Sequence, residues 1–177
     1  MIESCYWKSD LLKHARRLRS VKKPQRWSEK LAVDFEKELI ISFFMIRKLF
    51  EGHKLSSKSQ KHRVRFFACP ATKKQITNLN YAFIDDIYHL EKEKSITKDI
   101  VFVCNQFIHS GAMFAYREKN RNWGGVYVCS DFERRKSIYR IPLAEIRAIL
   151  NVVGTDYPQE ITMTYNKKIG DYAVTTN

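Results

Sequence analysis

The sequence predicts a single α+β domain in which a helical N-terminal half packs against a small antiparallel sheet. Before residue 115, apolar side chains recur mostly every three or four residues, which is the spacing of helices with one buried face. After residue 116, short β-branched and aromatic segments alternate with turns, which is typical of strands. No linker separates the mainly helical part, 1–115, from the sheet-containing part, 116–177, so one domain spanning residues 1–177 is expected.

Two helices are predicted near the start of the chain. Apolar side chains recur at helical spacing within residues 3–19, with basic residues between them. A longer helix is predicted to begin after Ser28, whose side chain can cap the first turn, and to end at Gly52. Its expected buried stripe consists of Leu31, Phe35, Leu39, Phe43, Ile46 and Phe50. The helix is expected to be buried on most sides, because the stripe is widened by Ile40, Ile41, Phe44 and Met45.

The middle of the chain is predicted to alternate between strand and helix. Residues 63–68 alternate charged and bulky side chains like a strand, which Pro70 closes. Residues 81–90 are assigned to a third helix, with a strand as the alternative. Thr97 is predicted to cap a further helix. The buried face of that helix is expected to hold Ile100, Val101, Val103, Cys104, Phe107 and Ile108.

The last third of the chain is predicted to contain a hairpin and a short helix. Residues 126–129 and 137–141 have the composition of paired strands. The helix is predicted to begin near Pro142 and to end at Gly154. Two further segments could add edge strands or stay loose, at residues 161–165 and 172–174.

The chain is strongly basic, with 32 Lys and Arg residues against 19 Asp and Glu, which gives a net charge of +13. Such an excess attracts polyanions through the summed potential and the release of counterions. The expected partner is therefore nucleic acid, with RNA favoured over DNA, or else an acidic protein. An anionic membrane surface and a merely solvated surface are the remaining alternatives.

No membrane segment or export signal is predicted. The longest apolar run, residues 39–46, is interrupted by Ser42 and is shorter than the roughly 20 residues needed to cross a bilayer. The first residues lack the pattern of a signal peptide, so a cytoplasmic location is expected. Reduced and mostly buried thiols are expected for the four scattered cysteines, Cys5, Cys69, Cys104 and Cys129.

Two basic segments are the candidate nucleic-acid-binding surfaces. Trp7 and Trp27 flank the first segment, and an exposed tryptophan can stack on an unpaired base. The cations of this first segment are Lys13, Arg16, Arg17, Arg19, Lys22, Lys23 and Arg26. The second segment supplies Lys58, Lys61, Arg63 and Arg65. Lysine and arginine provide phosphate contacts that do not depend on base sequence.

The segment from Cys104 to Ser110 carries the most unusual pattern in the chain. Asn105 and His109 are four residues apart, on nearly the same side of a predicted helix that is otherwise apolar. This pattern resembles the motif of the HEPN superfamily, small helical proteins of bacterial defence and toxin systems. Their RNases carry an arginine, usually a polar residue next, and then a histidine. Asn105 and His109 match the last two positions, while Cys104 stands in place of the catalytic arginine.

The resemblance implies metal-independent RNA cleavage, in which His109 exchanges a proton and an arginine stabilises the phosphate charge. Arg47 is the arginine nominated for this role, and it begins an Arg-x-x-x-x-x-His spacing that ends at His53. Chance alone accounts for about one such spacing in this chain. The structural alternative is that a partly buried His109 and Asn105 hydrogen-bond each other or backbone carbonyls.

No cofactor or metal site is predicted. The phosphate-binding glycine loops, His-Glu-x-x-His and Gly-x-Ser-x-Gly do not occur in the sequence. Cysteines and histidines such as Cys69 and His62 lack the spacing of compact metal-ligand pairs.

Three functions are consistent with these features. The leading hypothesis is a non-catalytic nucleic-acid-binding accessory protein of a bacterial defence system or mobile element. The second is an HEPN-like, metal-independent endoribonuclease, and the third is a protein-interaction subunit that binds an acidic partner. The sequence leaves open whether the protein is an enzyme and what its oligomeric state is.

Overall fold

A five-stranded antiparallel sheet forms the centre of the protein. The computed structural model describes residues 3–18, 28–74, 76–77, 79–168 and 170–177. The strands of this sheet are β1 (Arg63–Pro70), β2 (Lys94–Asp99), β3 (Ser110–Arg117), β4 (Trp123–Ser130) and β5 (Ser137–Pro142). Their spatial order is β2-β1-β5-β4-β3, so β2 and β3 are the edge strands.

Four longer helices cover one face of this sheet. They are α1 (Ser4–Arg17), α2 (Glu29–Glu51), α5 (Ile100–Ile108) and α6 (Leu143–Gly154). Helices α5 and α6 pack on the sheet, α2 packs on α5, and α1 packs on α6. The short helix α3 (Ser57–Gln60) precedes β1, and the connection between β1 and β2 contains the single-turn helix α4 (Ile84–Ile87) and a 3-10 turn at Leu90–Lys92. The helices and the sheet enclose one large apolar core.

The predicted α+β class is confirmed, with two N-terminal helices against an antiparallel sheet. Helix α2 has the predicted ends, because the Ser28 Oγ atom accepts a hydrogen bond from the Leu31 amide and Gly52 is the C-cap. Residues 126–129 and 137–141 pair as expected, within β4 and β5. The short helix α6 also lies where predicted and ends with Gly154.

Several predictions for the middle of the chain are wrong. Most of residues 81–90 is not helical, since α4 is a single turn. Thr97 lies in β2, and the cap of α5 is Asp99, whose carboxylate accepts a hydrogen bond from the Phe102 amide at 2.8 Å. Strand β3 was not predicted, and three of the five strands begin before residue 116. The sheet therefore draws on both parts of the chain.

The C-terminal segments form strands that pair only with each other. Strands β6 (Ile161–Asn166) and β7 (Asp171–Thr176) make a separate two-stranded sheet instead of extending the edges of the main sheet. The Thr176 hydroxyl donates to the carbonyl oxygen of Leu55 and anchors the end of β7.

The outer face of the main sheet is partly covered by the connection between β1 and β2. Ile87 and Tyr88 pack there against the buried thiols of Cys69 and Cys129. All four cysteines are free, and only Cys5 is exposed, as the sequence predicts. Within the described residues, no helix combines the length and apolarity needed to cross a membrane.

Candidate nucleic-acid interface

The edge formed by β1 and β2 carries six exposed cations that form no ion pair with a carboxylate of the described residues. The two strands pair from Arg63 opposite Asp99 to Ala68 opposite Lys94. Arg63 and Arg65 lie on the outer face of the sheet, while Lys94 and Lys98 lie on the other face, because side chains alternate along a strand. Together with the turn before β1, these exposed cations form the basic edge: Lys58, Lys61, Arg63, Arg65, Lys94 and Lys98.

The hydrogen bonds and ring contacts made by the basic edge are to neutral groups, although the charge of Lys98 also acts on the carboxyl of Glu133. Arg63 donates to the carbonyl oxygen of Thr97 at 2.8 Å, and Arg65 donates to the Ser95 hydroxyl at 2.9 Å. The Lys98 ammonium lies 5.3 Å from the centre of the Phe102 ring. Among the described residues, none of the six cations forms an ion pair with a carboxylate. Their positive charge therefore faces solvent.

An ion pair on the outer sheet face neutralises the acid nearest the start of β2. Arg140 binds Glu93 through two hydrogen bonds of 2.6 Å, and it donates to the Tyr116 hydroxyl at 3.2 Å. Its guanidinium lies 4.1 Å from the centre of the Phe67 ring. The hydrogen bonds with Glu93 raise the pKa of Arg140 above its ordinary value. This network links the start of β2 to β5. Because Arg140 neutralises Glu93, this carboxylate is not available to pair with the cations of the basic edge.

The N-terminal basic segment has a different electrostatic setting. Lys13 forms an ion pair with Asp10 at 2.8 Å, and Arg17 lines a groove with the acidic residues Asp34 and Glu38. Arg16 is exposed on the same helix. Outside the described residues lie Arg19, Lys22, Lys23, Arg26 and Trp27.

Trp7 is half-buried and packs against the core, so its ring is largely occupied within the protein. The two predicted basic segments are thus not equivalent. The described part of the first segment is interleaved with acids, while the second belongs to a surface with unpaired cations. Lys94 and Lys98 were missed as binding residues because they reach this surface only through the pairing of β2 with β1.

The residues nominated for RNA cleavage are only partly brought together. Arg47 on α2 donates from Nη1 to Oδ1 of Asn105 on α5 at 3.1 Å. The Nε atom of the same guanidinium is 2.9 Å from Oε1 of Glu51, which also binds Lys48 at 2.8 Å. Hydrogen bonds from Lys48 and Arg47 lower the pKa of Glu51. A carboxylate therefore already occupies part of the arginine that would stabilise a phosphate.

His109 lies at the surface, and the expectation of a partly buried, hydrogen-bonded imidazole is wrong. It is the C-cap of α5, and its backbone carbonyl accepts a hydrogen bond from the Asp131 amide at 3.0 Å. Within the described ranges, its ring forms no hydrogen bond or ion pair with Arg47 or Asn105. His53, the end of the second nominated spacing, is also exposed and has a positive φ of 53°.

Cys104, which replaces the arginine of the HEPN motif, is part of the core. Its thiol donates to the carbonyl oxygen of Phe43 at 3.3 Å, and burial raises the pKa of Cys104 to about 12. A thiol with this pKa stays protonated at neutral pH and is a poor nucleophile.

No group of three or more His, Cys, Asp or Glu side chains is arranged to hold a metal ion in the described part of the chain. Comparisons with protein-family models, curated proteins and solved structures give no match for the chain. Function is therefore inferred from this chain's own residues.

Proposed function

We propose that the protein binds nucleic acid through the basic edge and acts as a non-catalytic accessory protein. The observation that carries this proposal is the set of six exposed cations that form no ion pair among the described residues. Each cation that meets a phosphate releases condensed counterions, which is the main source of affinity in contacts that do not read the bases.

The spacing of the cations suits a linear polyanion. Arg63 and Arg65 are two residues apart on β1, and Lys94 and Lys98 are four apart on β2. At the rise of a strand these separations are about 7 Å and about 13 Å. The longer distance corresponds to roughly four base steps of a duplex. Extended nucleic acid lying along the edge would therefore meet several cations in succession.

Protection of the sheet edge explains only part of this charge. Lysines on an edge strand prevent pairing with another chain, which accounts for Lys94 and Lys98 on β2. Lys58 and Lys61 precede β1 and lie outside the sheet, so protection of an edge does not account for them. Binding of a polyanion accounts for all of these positions.

The proposal is tested by fluorescence anisotropy with labelled single-stranded RNA and DNA of equal length. Replacing Arg63 and Arg65 by Gln is expected to weaken binding about tenfold or more, because two charge-assisted phosphate contacts are lost. The matched control replaces Lys167 and Lys168 by Gln, which removes the same charge from exposed positions in the β6–β7 turn. Equal losses in both variants would show attraction by net charge alone and contradict a defined interface.

A second candidate function is the metal-independent RNase, which is favoured by the contact between Arg47 and Asn105 and by the exposure of His109. Asn105 and His109 are one helical turn apart, so a bound phosphate could contact both side chains. This candidate requires Arg47 to exchange Glu51 for phosphate. Cleavage of RNA in the presence of a chelator, lost in His109→Ala, would support it.

A further inference from the structure

Helix α2 has an apolar face that the described part of the protein leaves uncovered. Its exposed fractions are 38% at Val33, 38% at Ile40, 50% at Ile41 and 46% at Phe44. The opposite side of the helix is buried at Phe35, Leu39, Phe43, Ile46 and Leu49. The expectation that α2 is buried on most sides is therefore wrong for three of the four residues that widen its apolar stripe, since only Met45 is buried.

Helix α1 extends this surface sideways. Tyr6 is 71% exposed, and together with Trp7, Ile41, Phe44 and Met45 it lines an open apolar groove between the two helices. Monomeric proteins rarely expose a contiguous apolar patch without a binding function. Single exposed apolar residues are common, but here Ile40, Ile41 and Phe44 cluster on one face of a helix with a groove beside them.

Two opposite charges on α2 lie at equal distances from the middle of the apolar face. Asp34 lies seven residues before Ile41, and Lys48 lies seven residues after it. Glu36 lies five residues before Ile41, and Arg47 lies six residues after it. Both halves of α2 carry mixed charges, since Lys30 pairs with Asp34 and Glu51 with Lys48 within the helix. The equal and opposite placement of Asp34 and Lys48 about Ile41 is nevertheless what a self-complementary twofold contact requires.

We infer that this face binds a second copy of the chain, with the two α2 helices antiparallel across a twofold axis at Ile41. This arrangement brings Asp34 level with Lys48 of the partner subunit and Glu36 close to the level of Arg47 of the partner subunit. A parallel arrangement would instead place like charges level with each other. The antiparallel pairing also aligns the helix dipoles favourably.

The groove between α1 and α2, lined by Tyr6, can receive side chains of the second copy. In the antiparallel arrangement Ile41 of the partner subunit lies level with Ile41, at the rim of the groove. Its side chain and the aliphatic stem of Lys37 of the partner subunit can enter the groove, since long basic side chains bury their methylene groups along apolar surfaces. The basic edge takes no part in this contact, so dimerisation is independent of nucleic-acid binding.

The oligomeric state is measured by sedimentation equilibrium or by light scattering after gel filtration, without nucleic acid. The parent chain is expected at twice its mass of 21.0 kDa. The double variant Ile41→Glu, Phe44→Glu is expected at the monomer mass, because two charges enter the apolar contact. The control Phe132→Glu changes a side chain that is 79% exposed elsewhere and should remain dimeric. A monomeric parent chain, or a dimer that survives the double substitution in α2, overturns the inference.

Cysteine cross-linking tests the geometry. In a Cys5→Ser background, Ile41→Cys is expected to form a disulfide between subunits on oxidation, because the two positions meet at the axis. Val33→Cys should not, since eight residues of helix on each side separate the two copies by about 24 Å. Cross-linking by both variants would indicate parallel helices. Cross-linking by neither, in a dimeric protein, would place the interface elsewhere, and either result contradicts the arrangement.

Exchanging the charges of Asp34 and Lys48 tests the register of the dimer. Asp34→Lys alone is expected to weaken the dimer, because it places two bases level across the axis. Lys30→Gln, which removes only the ion pair of Asp34 within α2, is the control and should leave the dimer intact. Combining Asp34→Lys with Lys48→Asp restores opposite charges and should restore association. Failure of the combined variant to recover, while its helical circular dichroism matches the parent chain, would contradict the proposed register.

Discussion

The guanidinium of Arg47 donates a hydrogen bond of 3.1 Å to the side-chain oxygen of Asn105 and thereby joins α2 to α5. Glu51, one turn further along α2, binds the same guanidinium, so Arg47 is held on two sides. Cys104, next to Asn105, makes a second link between these helices through the carbonyl oxygen of Phe43. The segment that resembles an RNase motif therefore has a structural role at this helix contact.

The hydrogen bond between Arg47 and Asn105 predicts a measurable energetic coupling between these two side chains. Replacing Arg47 by Met and Asn105 by Ala, singly and together, should reveal an interaction of about 0.5–1.5 kcal/mol in the free energy of unfolding. The measurement is urea denaturation of all four proteins. Additive effects would mean that the hydrogen bond contributes nothing to stability.

His109→Ala separates the catalytic role of this residue from a structural one. The imidazole is exposed, so the substitution should change the free energy of unfolding by less than about 0.5 kcal/mol. If the protein is not an RNase, nucleic-acid binding and the absence of cleavage should also be unchanged. The measurements are thermal unfolding and incubation with labelled RNA in a chelator. Cleavage by the parent chain that His109→Ala abolishes would establish the RNase instead.

Lys8 is expected to contribute to stability although it is a buried cation. Its ammonium donates to the carbonyl oxygen of Lys54 at 2.8 Å and to that of Asp156, and it lies 4.3 Å from the centre of the Tyr157 ring. Burial lowers the pKa of Lys8, and the charge of Asp156 partly opposes this effect. Lys8→Met keeps the packing but leaves two carbonyl groups without a donor, so it should cost about 1–3 kcal/mol. Unfolding by denaturant measures this loss, and a more stable variant would show that desolvation of the charge outweighs its hydrogen bonds.

Glu38 predicts a pH-dependent gain in stability. Burial raises the pKa of its carboxyl above 4.5, against the opposing charges of His14 and Arg17, and its Oε1 atom has no hydrogen-bond partner in the described structure. At neutral pH the folded protein must therefore hold a partly buried negative charge that the unfolded chain exposes to water. Glu38→Gln should therefore stabilise the protein at neutral pH by a few tenths of a kcal/mol to about 1 kcal/mol after solvent screening.

Proton binding by Glu38 determines whether the free energy of unfolding rises or falls with pH. Because the carboxyl pKa is higher in the folded state, the folded protein binds more protons than the unfolded chain just above pH 4.5, and its stability falls as pH rises there. The gain of Glu38→Gln should thus disappear as pH falls below this range. Melting temperatures at acidic and neutral pH test this difference, with the exposed Glu160→Gln as control. A gain that is the same at acidic and neutral pH would rule out the charge as its cause.

The elements that the sequence predicted well have local signals. Ser28 and Gly52 mark both ends of α2, and β-branched segments separated by a turn mark β4 and β5. Strand β2 has no such signal, because an edge strand with exposed cations on it lacks the alternation of buried and exposed residues. Thr97 has the chemistry of a cap, but Asp99 holds that position because β2 continues to the start of α5.

In the candidate interface, too, some residues could be predicted from the sequence and others could not. Arg63 and Arg65 are neighbours in sequence and could be found from it, whereas Lys94 and Lys98 join them through strand pairing across a long connection. The exposure of His109 could not be predicted from spacing, because His109 is the C-cap of α5 and its burial depends on the elements packed around the end of that helix. The exposed apolar face of α2 was not predicted, because Ile40, Ile41 and Phe44 lie beside the buried stripe and by spacing alone would widen it.

The dependence of RNA affinity on salt tests the central claim most directly. If the six cations of the basic edge each meet a phosphate of single-stranded RNA, the logarithm of the association constant should fall with the logarithm of salt concentration with a slope of about −4. Replacing Arg63, Arg65, Lys94 and Lys98 by Gln should reduce this slope to about −1.4, since two cations remain. The measurement is anisotropy between about 50 and 200 mM salt. An affinity that does not change with salt, or a slope that the four substitutions leave unchanged in a folded protein, would contradict binding through the basic edge.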